Sequence, residues 1–120
     1  MMTHKLCIPV HQENIAPRFD MATEVFIILL SDNMAVKEKK TLVLSRSSAD
    51  ELCHLILSEN ITTLICGAIE DEYYQFLKWK KINILDSVAG TWPNAFDKWK
   101  ENILNSGDIL SDRIIEGKPV

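Results

Sequence analysis

With 120 residues, the chain has room for one domain with a core of ordinary size. Hydrophobic residues make up 47% and charged residues 25%, the balance of a soluble globular protein, and the longest apolar run, Val25 to Leu30, is far too short to span a bilayer. Net charge is -4, pI is about 5.3, and no basic cluster is denser than Lys37-Glu38-Lys39-Lys40 or Lys78-Trp79-Lys80-Lys81, which argues against a nucleic-acid surface.

The amino terminus, Met1-Met2-Thr3-His4-Lys5, leads directly into a strand and lacks a secretory h-region, so a cytoplasmic location is expected. His4 to Val10 reads as that strand, with Pro9 leaving the ladder near its end. A loop from His11 to about Met21 follows. Glu24 to Leu30 is continuously apolar, as in a central strand covered on both faces. After the turn signal Ser31-Asp32-Asn33, Ala35 to Leu44 reads as an edge strand whose charges deter unwanted pairing.

Ser48-Ala49-Asp50-Glu51 has the capping-box pattern and predicts a helix to about Ser58, with Ala49, Leu52, Cys53 and Ile56 on its inner face. Thr62 to Cys66 is a short β-branched strand ended by Gly67. Glu70 to Lys80 predicts a second helix, acidic at its start and basic at its end, with Tyr73, Phe76 and Leu77 inward. Ile82 to Leu85 is the last strand. Thr91, followed by Pro93, opens a third helix with an apolar stripe of Trp92, Ala95, Phe96, Trp99 and Ile103, stopped by Asn105-Ser106-Gly107. The stripe reads as core rather than as a ligand platform. In the tail, Ile109-Leu110 and Ile114-Ile115 are expected to pack weakly on the body or on a partner.

The order β-β-β-α-β-α-β-α predicts one α/β domain over residues 1–120, with a core of about 4–104 and a tail of 105–120. Short connections allow the first three strands to be antiparallel, and helical crossovers make the later ones parallel, giving a mixed five-stranded sheet with helices packed on it. The cysteines Cys7, Cys53 and Cys66 form no Cys-x-x-Cys pair and read as buried, reduced thiols. No nucleophile elbow, phosphate loop or His-Glu-x-x-His helix is present, and the first strand lacks the acid of a two-metal nuclease, so no enzymatic activity is expected.

Ile15-Ala16-Pro17-Arg18-Phe19-Asp20 resembles the Pro-His-Phe-Gly loop of the dinitrogenase iron–molybdenum cofactor biosynthesis family. The resemblance runs from about Leu6 to Trp99. It takes in Cys7-Ile8-Pro9-Val10, Phe26-Ile27-Ile28, Leu64-Ile65-Cys66-Gly67-Ala68-Ile69, Ile82-Asn83-Ile84-Leu85 and Gly90. It implies a ribonuclease-H-like fold and a protein that binds, carries or helps assemble a metal–sulfur cofactor, an iron–sulfur or molybdenum-containing cluster. Partners would then be cluster donor or acceptor proteins. His11 and Arg18 would be contacts, Phe19 would shape the pocket, and Gly67 would face them across the rim. Arg18 stands where the family has histidine, Asp20 where it has glycine, and Lys81 where it has a glycine before the last strand. An arginine cannot ligate iron but can pair with an anion.

As a plain loop, the same stretch would hold Phe19 as a core plug and pair Arg18 with Asp20 or Glu24. The acids Glu70, Asp71 and Glu72 are expected to disfavour an anionic ligand at the turn after Gly67, and suit a hard cation or a basic partner better. The alternative function is therefore a non-catalytic protein-interaction module of the same fold. That reading uses Glu70-Asp71-Glu72 or the tail as its contact surface.

Overall fold

A computed structural model describes residues 3–110. Six strands and three helices follow one another as β1 His4–His11, β2 Asn14–Ile15, β3 Glu24–Leu30, β4 Val36–Val43, α1 Ala49–Ser58, β5 Thr63–Ile65, α2 Asp71–Trp79, β6 Asn83–Leu85 and α3 Trp92–Lys100. The sheet runs β4-β3-β1-β5-β6. β1 pairs antiparallel with β3 and β3 with β4, whereas β5 lies parallel to both β1 and β6. The mixed sheet matches expectation, but it has six strands. The segment read as a loop after β1 folds back as β2, pairing Val10 with Ile15 and His11 with Asn14. A single helical turn, Phe19–Met21, follows.

The period-two alternation of β1 and β3 sorts their side chains onto two covered faces. Cys7, Val25 and Ile27 pack with Leu52, Cys53, Ile56 and Leu77 beneath α1 and α2. Leu6, Ile8, Ile28 and Leu30 pack with Ala95, Trp92, Phe96 and Trp99 of α3. Trp92 lies 4.2 Å from Phe26, ring centre to ring centre. Covering both faces is why β3 reads as unbroken hydrophobic sequence. β4 closes the sheet as an exposed edge, with Val43 75% exposed among charged neighbours.

Local signals govern the helix ends. The Ser48 hydroxyl accepts the Glu51 amide proton at 3.2 Å, and α1 ends before Asn60, which takes the left-handed φ of 59°. α3 stops earlier than its stripe suggested. Asn102 turns left-handed at φ 63°, which turns Ile103 out and buries Leu104 in its place. Phe76 is also displaced from its expected inward position and stands exposed, while Leu77 is fully buried. In the tail, Leu110 donates to the Ala89 carbonyl at 2.7 Å, whereas Ile109 points outward; Ile114 and Ile115 lie outside the described residues. No helix among the described residues is long and apolar enough to cross a membrane.

Removal of the α1 cap by Ser48→Ala should lower stability by about 1 kcal/mol in urea unfolding, with an unchanged m-value. An unaltered midpoint would show that the cap contributes nothing.

Candidate functional site

Strand β1 delivers the first loop to the carboxyl-end rim of the sheet, where open α/β sheets bind ligands. There it meets the turn after β5. Arg18 and Ala68 lie side by side as a parallel bridge. The Phe19 amide donates to the Ala68 carbonyl at 2.8 Å, and the Ala68 amide to the Pro17 carbonyl at 2.8 Å. Contact this close needs a residue without a side chain. A Cβ on Gly67 would stand 2.5 Å from the Pro17 carbonyl oxygen and closer still to that of Ala16.

A third segment joins them. The Ser87 amide donates to the Gly67 carbonyl at 2.9 Å, and the Ile15 amide to the Gly90 carbonyl at 2.8 Å. Ser87 holds a left-handed φ of 58° and Gly90 a φ of 132°. Nothing in the expected elements marked this turn. Its signal is the run of small residues Ser87-Val88-Ala89-Gly90, which lets three backbones converge.

Two cavities flank this junction. One, of about 380 Å³, is lined by Val10, His11, Pro17, Arg18, Met21 and Thr23 among others. The second, of about 410 Å³, is walled by Asn14, Pro17, Gly67, Ala68 and the 87–90 turn. Pro17 separates them. His11 and Arg18 therefore share one cavity, and Gly67 belongs to its neighbour. Phe19 lines neither: it is 1% exposed and packs under the loop, 6.3 Å from the Tyr73 ring. Its position is that of a core plug, which fixes the loop from below.

Arg18 is half-exposed and bound to Asp20, Nη2 to Oδ2 at 2.7 Å and Nε to Oδ1 at 3.1 Å. This two-point pair ties the guanidinium to a residue of its own loop. None of Glu70, Asp71 and Glu72 lines either cavity. Asp71 faces a separate hollow with Asp86, and Glu72 a cleft between α1 and α2. The acidic turn is thus a neighbour of the rim and not its wall.

The three thiols are buried. Burial, and to a smaller degree Glu59, pushes Cys7 up to about 12. Burial and then Asp50 push Cys53 up to about 11. Cys66 is raised too, by burial first and then by Asp86 and Cys7. Protonated, enclosed thiols are poor metal ligands. Among the described residues, no group of three His, Cys, Asp or Glu side chains is placed to hold a metal ion.

No family model matches the sequence, and neither does any curated protein. Solved structures do match. The crystal structure of a "putative dinitrogenase" from Methanocaldococcus jannaschii is 25% identical, covers 88% of this chain and 95% of its own, and superposes with a TM-score of 0.70. The protein PH0822 superposes with a TM-score of 0.76 at 12% identity, over 85% of this chain and 93% of its own. A Thermotoga protein described as a "putative NifB protein" gives 0.63 at 15% identity, over 91% and 98%. The last two likenesses speak to the fold alone.

Two outcomes follow. Gly67→Ala should cost about 1–3 kcal/mol in urea unfolding and shift the Phe19 and Ala68 amide resonances; unchanged stability and spectra would contradict the close approach. The thiols should ignore Ellman's reagent at pH 8 in the native state and all react once the chain is unfolded. Because folding raises their pKa values, their neutral forms favour the native state. That contribution is complete below about pH 9 and is lost as pH rises towards about 12. Flat stability across that window would refute the burial argument.

Proposed function

We propose that this chain binds a metal–sulfur cofactor, or a precursor of one, at the rim formed by the first loop and the turns after β5 and β6. On this reading it is a cytoplasmic, non-catalytic carrier or assembly protein of the nitrogenase-cofactor type. Cluster donor and acceptor proteins are its partners. One observation carries the reading: the Pro17-Arg18-Phe19 segment lies against Gly67-Ala68 as a single wall between two cavities. The likeness to the M. jannaschii protein, extending over nearly all of both chains, supports the same direction. So does the strand order, with three antiparallel strands followed by two parallel ones, which we read as ribonuclease-H-like.

The chemistry of the rim suits a cargo held from outside. Metal–sulfur clusters are commonly anionic, and their sulfides accept hydrogen bonds. Arg18 supplies a permanent charge with several donors, and His11 supplies an imidazole able to bind a metal. Cys7 and Cys66, sealed in the sheet, contribute no thiolate. Arg18 is already half-neutralised by Asp20, and this observation favours a second reading: an interaction module that keeps the fold and has given up the cluster.

Anaerobic reconstitution with iron, molybdate or copper and sulfide, followed by metal analysis and absorption spectra, separates the two. The carrier reading expects uptake that falls about tenfold or more in Arg18→Glu and rises in Asp20→Asn. Absence of bound metal, under conditions that load a related carrier, would leave the interaction module.

A further inference from the structure

We propose that the cleft between α1 and α2 binds a small organic ammonium cation. This site lies apart from the rim and does not depend on the function assigned there. The cleft has a volume of about 370 Å³, within the range of small-molecule sites. Asp50, Cys53, His54 and Leu57 line it from α1, and Glu72, Tyr73 and Phe76 from α2. Its floor is the buried Cys53 and its walls are the two aromatic rings with Leu57, so an alkyl group meets apolar surface. One exposed acidic residue lines it from each helix, and no lysine or arginine is among the lining residues.

Asp50 and Glu72 make no ion pair or side-chain hydrogen bond among the described residues. Their field nevertheless reaches the cleft wall. Asp50 raises the Tyr73 hydroxyl pKa most, followed by burial, Glu72 and Glu70. A cation placed between the helices would meet this negative potential beside the rings of Tyr73 and Phe76, and acidic groups with aromatic rings are the combination that recognises alkylated ammonium groups. The Phe76 ring already attracts a cation: Lys80 Nζ lies 5.7 Å from its centre, though closer to Trp79 at 4.8 Å. A metal ion suits the cleft less well. No trio of ligating side chains is close enough to hold one among the described residues. A bulky, diffuse charge instead needs only the two carboxylates and the rings.

Choline is a suitable probe, and 3,3-dimethylbutan-1-ol is its neutral isostere. In amide-detected NMR titrations of the full chain, choline should shift resonances over residues 50–57 and 72–76, with a Kd of about 1–10 mM. The isostere should shift them weakly or not at all. The Asp50→Asn/Glu72→Gln double variant should raise the Kd about three- to tenfold, less so at high salt. Phe76→Leu, at an exposed position, should also weaken binding while leaving the spectrum folded, and keeps the test informative should the double variant unfold. Equal shifts from the isostere, unaltered affinity in the variants, or no localised shift up to about 50 mM choline would overturn the proposal.

Discussion

The rim of this protein depends on one missing side chain. Gly67 lets the carbonyl groups of Ala16 and Pro17 lie against the turn after β5 at distances that no Cβ tolerates. The backbone exchange between Phe19, Ala68 and Pro17 follows from that approach, as does the placing of Arg18 beside Ala68. With the two segments locked, Pro17 becomes a partition and the spaces on either side become cavities. A Cβ at residue 67 would force the Ala16 and Pro17 carbonyl groups to shift and so loosen the hold of the turn on the first loop.

The buried residues beneath the rim serve the same end. Phe19 drops into the core from the loop and meets Tyr73 of α2, so the loop is pinned from below as well as from the side. On the far side, the Ser87–Gly90 turn is backed by the segment around Leu110, whose amide bonds to Ala89. Strain at Ser87 and the wide φ of Gly90 sit where these supports converge. On the proposed carrier reading, a rim locked by backbone bonds would leave little ordering to oppose the binding of a preformed cargo. The thiols, which chemistry alone would nominate as cluster ligands, are instead spent on packing.

Acidic residues on α1 and α2 give that side of the sheet a different electrostatic character from the lip with His11 and Arg18. Glu70, Asp71 and Glu72 complement the dipole of α2, as first-turn acids do. Their geometry then splits them, one towards Asp86 and one towards the α1 cleft. Carboxylates that looked like a repulsive wall for the rim therefore shape other surfaces. The molecule separates a rim bearing His11 and Arg18 from a cleft bearing Asp50 and Glu72, and this separation allows ligands of opposite charge to be considered for the two places.

Much of the architecture was legible from residue order. Alternating and continuous apolar runs disclosed the five long-range strands, the Ser48 cap opened α1, and the charges on β4 marked an edge, because each depends on local propensity or on a period. The family resemblance singled out the Pro17-Arg18-Phe19 segment and Gly67, and the fold does bring Ala16-Pro17-Arg18 against Gly67-Ala68 at one rim. Features made by contact between distant segments were not legible. The β2 hairpin has only two residues per strand, too few for a pattern, and the 87–90 turn shows itself only by small side chains. Phe19 as a core plug and Arg18 paired with Asp20 were one of the two readings the loop sequence allowed, and packing chose between them, whereas the turning-out of Phe76 was settled only by the space left when helices dock on the sheet. Sequence specified which residues could reach the rim. Tertiary packing decided which of them face a cavity, because that depends on the sum of all the neighbours and not on any one stretch of chain.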